Sequence, residues 1–153
     1  MKERIKYIKK TNMAIAEYMG AMLHKDWTNA IYTEPHDTYE FITPATKHAS
    51  IHWLPEELQY LSSWEWLMPV VEKISKERYK SFPIVISISG GGGAHIAINH
   101  SNCAGQEYEG ERIIANTLNT NYMINDEEFE YTSIELVWFA VGLFVKWYNK
   151  NKE

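Results

Sequence analysis

Four consecutive glycines at residues 90–93 are the first residues whose spacing suggests chemistry, because glycine lets the backbone approach a ligand or another chain segment closely. A phosphate-binding P-loop would need a lysine after the glycines, and a dinucleotide fingerprint would need a helix there. The segment that follows Gly93, AHIAINH, alternates as a strand does. Two interpretations remain: a hairpin turn that uses positive φ angles, or a turn whose amides bind a ligand beside His95 or His100.

The ligand-binding interpretation predicts a site for a small anionic ligand, with no catalytic or metal-binding residue. The glycines would supply amides, His95 and Arg112 polar or charged contacts, and an aromatic ring a stacking face. Trp66 lies off the Leu67 and Val71 face of its predicted helix, which suits either an exposed stacking platform or packing in the core or between helices. The predicted ligand-binding residues are Gly90, Gly91, Gly92, Gly93, His95, Trp66, Tyr108 and Arg112.

The histidines provide the enzymatic alternative. His36 and His48 each begin an H-x-[ST] motif, HDT and HAS. Paired motifs of this form resemble those of 2H phosphoesterases, in which two histidines act as acid and base on a phosphodiester. In that family the two motifs lie on separate strands, whereas here they are only twelve residues apart. The alternative function is therefore a phosphodiesterase that uses His36 and His48.

Metal and thiol chemistry find little support in the sequence. His48 and His52 are four residues apart, a spacing that would suit metal binding on a helix, but KHASIHWLP has no acidic third ligand and no strong helical pattern. Cys103 is the only cysteine, so no internal disulfide or thiolate cluster can form. We expect no metal and no cofactor, and a reducing, cytoplasmic environment.

Composition and charge limit the possible partners. The 153 residues are 45% hydrophobic and 14% aromatic, which predicts one globular domain over residues 1–153. The net charge is −5, and because residues 1–10 carry five basic side chains against one acidic, the remainder has a net charge of −9. Such a chain disfavours nucleic-acid binding, and its apolar runs are too short to span a membrane. The many apolar side chains predict a homodimer or larger homo-oligomer.

Helical patterns occur at three places. Residues 3–19 place isoleucines near one face and end before Gly20. The segments SSWE and TSIE have the form of capping boxes, so they predict helices at about 62–78 and 132–149. Trp138 lies on the apolar stripe of the last helix. The predicted core face of the middle helix is formed by Trp64, Leu67, Met68, Val71 and Ile74.

The strands are predicted between these helices. Residues 83–89 and 94–100 alternate isoleucine with small or polar residues on either side of the glycines, which indicates a hairpin. RIIAN and NYMIN are weaker strand candidates, and AIYT and YEFIT could be short strands earlier in the chain. Short turns between strands imply an antiparallel sheet, so the predicted fold class is α+β, a small antiparallel sheet with helices packed on it.

Two of these segments carry a resemblance to a known family. SSWEWLMPVVEKI at residues 62–74 and TSIELVWFAVGLFVKWYN at residues 132–149 resemble small phage and prophage proteins found especially in Bacteroidetes. The two segments cover 31 of the 153 residues, and they include neither the glycine run nor residues 21–61. The layout also resembles the phage ABA sandwich domain, which implies an α-β-α layered sandwich with helices on both sides of the sheet.

The resemblance implies a context and brings no catalytic residue with it. It implies a phage-encoded accessory protein in the host-cell cytoplasm. Small phage proteins of this kind often counter host defence, and one group acts as homo-oligomeric sponges that bind nucleotide immune signals without cleaving them. The leading hypothesis is therefore sequestration of a small anionic, nucleotide-derived ligand. The alternatives are the His36 and His48 phosphodiesterase and a module that binds a host protein.

Overall fold

The computed structural model describes residues 2–26, 36–40, 52–89, 93–99, 111–118, 122–124, 127–129 and 132–152. Contacts along the chain group it into two compact units, Met1–Gln59 and Tyr60–Glu153. The single domain expected over residues 1–153 stays a prediction.

In the described residues, three strands follow the first α-helix and six strands lie between the second and the third. The α-helices are α1 (Lys2–Tyr18), α2 (Trp64–Ser75) and α3 (Ser133–Asn151), with a short 3-10 helix at Pro55–Glu57. The strands are β1 (Met22–Asp26), β2 (His36–Glu40), β3 (His52–Trp53), β4 (Arg78–Tyr79), β5 (Phe82–Ile88), β6 (Ala94–Asn99), β7 (Glu111–Asn116), β8 (Tyr122–Ile124) and β9 (Glu127–Phe129). Among these described helices, none is long and apolar enough to cross a membrane.

The first unit packs α1 beside the 3-10 helix, and it also contains the antiparallel sheet β1-β2-β3. The helix predicted over residues 3–19 is confirmed, and Gly20 takes the positive φ of +82° that is typical just after a helix end. The amide of buried Asn12 donates to the carbonyl of Leu58 at 3.2 Å. Lys9 forms an ion pair with Glu56 at 3.1 Å. These contacts hold α1 against the segment that follows β3.

The second unit contains the predicted hairpin. In the β5–β6 pair Ile84 lies opposite Ile98, and Ile86 lies opposite Ile96. Side chains directly opposite each other in an antiparallel pair share a face, so these four isoleucines face the same side of the sheet. Three of them are buried, and Ile86 is half-buried. The hairpin over residues 83–100 is therefore confirmed, with one face turned to the core.

The helices of this unit pack on its four-stranded sheet, whose order is β4-β5-β6-β7. α2 contacts β5, α3 contacts β6 and β7, and the two helices contact each other. Trp138 of α3 is buried, as its place on the apolar stripe predicted. The α+β class, a small antiparallel sheet with helices packed on it, is confirmed. A helix layer on the opposite side of the sheet, as the α-β-α sandwich requires, stays a prediction.

The weaker strand predictions have mixed outcomes. RIIAN lies within β7, which pairs with β6 across a bulge between Ile96 and Ala97. NYMIN contains β8, but β8 pairs with β9 and not with the four-stranded sheet. The first two residues of YEFIT end β2, while AIYT and the rest of YEFIT lie outside the described residues.

The buried face of α2 differs from the predicted one. Trp64 and Met68 were expected in the core but are 41% and 44% exposed, whereas Trp66 is only 6% exposed. Apolar residues occur nearly all round this helix, so spacing alone did not fix which stripe faces the sheet. The buried stripe consists of Trp66, Leu67, Val70, Val71 and Ile74.

Of the two predicted helix caps, one is confirmed and the other is wrong. The hydroxyl of Thr132 accepts the backbone N–H of Glu135 at 3.4 Å and donates to its carboxylate at 3.0 Å, so the cap of α3 is confirmed. The capping box predicted from Ser62 is wrong. Ser63 occupies the cap position of α2, and its side chain makes no capping hydrogen bond.

This difference predicts unequal effects of two matched substitutions. We expect Thr132→Ala to lower the free energy of unfolding by about 1 kcal/mol, because it removes the acceptor of an otherwise unpaired helix N–H. Ser63→Ala should cost clearly less, since no capping bond is lost. Urea denaturation of both variants measures the two losses. Equal losses would contradict the assignment of the working cap to Thr132.

Candidate functional site

A cavity of about 170 Å³ lies in the second unit, between the β4–β5 hairpin and the last turns of α3. Aromatic and charged side chains dominate its lining. The lining residues are Glu77, Arg78, Tyr79, Lys80, Ile84, Phe144, Trp147, Tyr148, Asn151 and Lys152.

The turn between β4 and β5 is unusual in its residue types. Tyr79 pairs with Phe82, so the loop has only two residues, Lys80 and Ser81. Both have positive φ, +49° and +74°, as in the type I′ turns that normally use Asn-Gly. Arg78 donates from Nη1 to the carbonyl of Ser81 at 3.0 Å and so ties the strand end to the turn. Strained backbone of this kind is concentrated at functional sites, and here it borders the cavity.

The apolar part of the cavity is built from four aromatic rings. Phe144, Trp147 and Tyr148 follow the i, i+3, i+4 spacing that places side chains on one face of α3. The Trp147 ring lies 5.2 Å from the Tyr79 ring at an interplanar angle of 66°, and 5.8 Å from the Phe144 ring. The Phe144 and Tyr148 rings stack at 6.0 Å. A continuous aromatic wall therefore joins α3 to β4.

The charged groups of the cavity are mainly basic. Arg78, Lys80 and Lys152 are exposed, and among the described lining residues the one carboxylate is that of half-buried Glu77. The Lys80 ammonium lies 5.3 Å from the centre of the Tyr79 ring, within the range of a cation–π contact. Among the described lining residues, three cations against one carboxylate give a net charge of +2, whereas the whole chain has a net charge of −5. The cavity is thus a basic region of an acidic protein.

The glycines predicted to bind a ligand lie elsewhere, and only Gly93 is among the described residues. It has a φ of +93°, and a Cβ atom placed there would overlap the carbonyl oxygen of Thr117 and lie 2.6 Å from its carbon. The carbonyl of Gly93 accepts the N–H of Ser89 at 3.2 Å, which joins the residue after β5 to the residue before β6. The close approach that needs Gly93 is therefore to the chain's own backbone.

The other described residues that were predicted to contact the ligand do not form one site. His95 lies opposite Asn116, and Arg112 lies opposite Ile98. Positions 95 and 98 of β6 are three residues apart, so alternation places His95 and Arg112 on opposite faces of the sheet. Trp66 is buried, with its ring 5.2 Å from the Tyr60 ring in an edge contact. The exposed placement of Trp66 is wrong, and its alternative, packing in the interior, is what the structure has.

The remaining predicted site residues are Tyr108 and the two histidines of the phosphodiesterase alternative. Tyr108 and His48 lie outside the described residues, and for His36 only its backbone place in β2 is described. The phosphodiesterase alternative therefore stays a prediction. Within the described part of the chain, no three His, Cys, Asp or Glu side chains come together as metal ligands.

The cavity is well separated from Gly93. The hydroxyl of Thr117, next to Gly93, donates to the carbonyl of Leu136 near the start of α3. Tyr148, twelve residues further along α3, lines the cavity. A helix rises about 1.5 Å per residue, so these two places are about 18 Å apart along α3.

Sequence reasoning missed the cavity residues, although a partial signal was present. The aromatic cluster WY at the end of the third helix was noticed as part of a family segment, without a role. The basic stretch ERYK, which supplies Arg78 and Lys80, has no motif form. No protein-family model matches the chain, and neither a curated protein nor a solved structure shows significant similarity to it.

Proposed function

We propose that this protein binds a small anionic ligand in the basic aromatic cavity and releases it chemically unchanged. One observation carries the proposal: three cationic side chains line the same cavity as an aromatic wall, in a chain whose overall charge is negative. Ligand sites combine apolar walls with a few polar groups that fix orientation, and this cavity has both. A small anionic ligand is also what the sequence predicted, but the proposed site is this cavity and not the glycine run.

The sign of the charge separates anionic from cationic ligands. Aromatic cages also bind quaternary ammonium groups, so the four rings alone would suit a cation. Arg78, Lys80 and Lys152 would repel such a ligand. The C-terminal end of α3 adds about half a negative charge through the helix dipole, which does not outweigh three cations. An anion is therefore favoured.

Binding is favoured over catalysis by the types of group present. Among the described residues that line the cavity there is no serine, threonine, cysteine or histidine. The charged groups suit recognition of an anion more directly than attack on one. Sequestration of a ligand also agrees with the phage accessory role implied by the sequence resemblance, in which a small protein removes a host signal by holding it.

The proposal predicts that ligand charge decides affinity. Phenyl phosphate and benzoate should bind, whereas benzyltrimethylammonium, which has a similar ring and a positive charge, should not. Binding can be followed in ¹⁵N-labelled protein through the indole N–H signal of Trp147, assigned with Trp147→Phe. The double variant Arg78→Glu/Lys80→Glu should bind both anions at least about ten-fold more weakly, because an exposed ion pair contributes up to about five-fold.

A matched variant controls for net charge. Lys146→Glu/Lys150→Glu changes two exposed lysines of α3 that do not line the cavity and alters the net charge equally. It should leave the affinity for both anions close to that of the original protein. Tighter binding of benzyltrimethylammonium than of benzoate, or equal weakening by the two double variants, would overturn the proposal.

A further inference from the structure

Resting on the proposed function, we infer that the ligand is a phosphate monoester that carries a single ring-sized apolar group. Two properties of the basic aromatic cavity lead to this class: its volume limits the apolar part, and its charge selects the anionic part.

The volume admits one ring. The cavity holds about 170 Å³, and an engineered protein cavity of about 150 Å³ is known to hold benzene. The Tyr79 and Trp147 rings touch each other in an inclined contact at 5.2 Å, so no ring can insert between them. A ligand ring must instead lie against the wall that Tyr79, Trp147 and Tyr148 form. The cavity is open to solvent on one side, so a second ring would extend out of this volume.

The charge selects a dianion. Arg78, Lys80 and Lys152 against Glu77 leave a net charge of +2, which the α3 dipole reduces by about half a unit. A phosphate monoester carries about −1.5 to −2 at neutral pH and matches this charge. A carboxylate carries a single negative charge and would leave part of the positive charge unmatched.

The positions of the cations suit a group with several oxygens. Arg78 donates one N–H to the Ser81 carbonyl, but a guanidinium has five N–H donors and can bind a second acceptor. Lys80 follows one residue after Tyr79 in the strained turn, and Lys152 follows the end of α3. The cations thus approach from two different elements, and the phosphate oxygens point in several directions. A planar carboxylate offers only two oxygens to such an arrangement.

The experiment compares ring-bearing anions of different charge with the intact protein. At about pH 8, phenyl phosphate should bind more tightly than benzoate, by up to about five-fold, since it adds one ion pair. It should also bind more tightly than inorganic phosphate, which lacks the ring. 4-Biphenylyl phosphate should bind no more tightly than phenyl phosphate, because the cavity holds one ring. The Trp147 indole signal reports each titration.

Two further probes distinguish the kinds of molecule that could carry the phosphate monoester. Uridine monophosphate presents the phosphate monoester on a nucleotide, with the ribose as the ring next to the phosphate and the base outside the one-ring volume. N-acetyl-O-phosphotyrosine amide presents it on a protein side chain. The probe that binds more tightly identifies which source the cavity fits. If neither binds more tightly than inorganic phosphate, the inference is overturned.

The pH dependence separates phosphate from carboxylate. The second pKa of a phosphate monoester is about 6, so lowering the pH from about 8 to about 5 removes close to one negative charge. Affinity for phenyl phosphate should fall by up to about five-fold, the contribution of one exposed ion pair, while affinity for benzoate stays nearly constant. The ionisable side chains facing the ligand are Glu77, Arg78, Tyr79, Lys80, Tyr148 and Lys152. None of these described residues is a histidine.

Failure of the inference and failure of the proposed function give different results. If benzoate and phenyl phosphate bind equally well at both pH values, the phosphate inference is overturned while anion binding stands. If neither anion moves the Trp147 signal, the proposed function itself fails.

Discussion

We expect Gly93→Ala to lower the free energy of unfolding by about 3 kcal/mol, because two separate costs arise at this position. The φ of +93° is one that alanine rarely adopts. The new Cβ atom would also overlap the Thr117 carbonyl oxygen and lie 3.0 Å from the Cα atom of Leu118. Both neighbours are backbone atoms, so the clash can be relieved only by moving the end of β7. Urea denaturation followed by circular dichroism measures the loss.

Gly20 provides a control for the backbone angle alone. It has a similar φ of +82°, but a Cβ atom there would meet nothing within 4 Å. Gly20→Ala should therefore cost only about 1 kcal/mol, the typical cost of placing alanine in the left-handed region. Similar losses for the two alanine variants would show that the clash with Thr117 adds nothing.

Asparagine separates the two costs at position 93 itself. Asparagine tolerates positive φ better than alanine does, yet it carries the same Cβ atom. If the angle dominates, Gly93→Asn should be clearly more stable than Gly93→Ala. If the contact with Thr117 dominates, as the geometry indicates, both variants should be destabilised to a similar degree. Recovery of most of the stability by asparagine would contradict the clash.

The elements that sequence patterns predicted well are those with a strong local signal. Residues 83–100 alternate clearly and are interrupted by glycines, and α3 begins at a threonine that caps it. Patterns of this kind depend on residues that are close together in the chain, so packing elsewhere in the fold does not change the element that they predict. The face of α2 could not be predicted, because its apolar residues surround the helix and only contact with β5 decides which of them are buried.

The candidate site could not be predicted for a different reason. Arg78 and Tyr148 are 70 residues apart along the chain, and neither belongs to a recognised motif. They line one cavity because the last turns of α3 reach β4, where the Trp147 ring lies 5.2 Å from the Tyr79 ring. The glycine run attracted attention because its composition is extreme. Yet Gly93 is explained by backbone packing, while the basic aromatic cavity consists of ordinary residues in an unusual arrangement.

The residue that Gly93 approaches is itself a buried polar junction. The Thr117 hydroxyl donates to the Leu136 carbonyl at 2.8 Å and accepts the N–H of Ala94 at 3.0 Å. The backbone N–H of Thr117 donates to the Ala94 carbonyl at 2.8 Å. One fully buried hydroxyl therefore joins the start of β6, the end of β7 and the first turns of α3.

We expect Thr117→Val to lower the free energy of unfolding by about 2 kcal/mol, although valine has nearly the same shape as threonine. The substitution leaves the buried N–H of Ala94 without the hydroxyl that accepts it, and it removes the bond to Leu136. An unsatisfied buried donor costs more than the small gain from an added methyl group. The loss can be measured by urea denaturation.

Thr117→Ser is the matched control, because it keeps the hydroxyl and removes only a methyl group. Its cost should be about 1 kcal/mol, the transfer free energy of one buried methyl group. If the hydrogen bonds hold β6, β7 and α3 together, serine must be better tolerated than valine. If packing of the methyl group dominates, the order reverses, and valine would match the original protein. Amide hydrogen exchange at Ala94 distinguishes the two cases directly: exchange should be faster in Thr117→Val and nearly unchanged in Thr117→Ser.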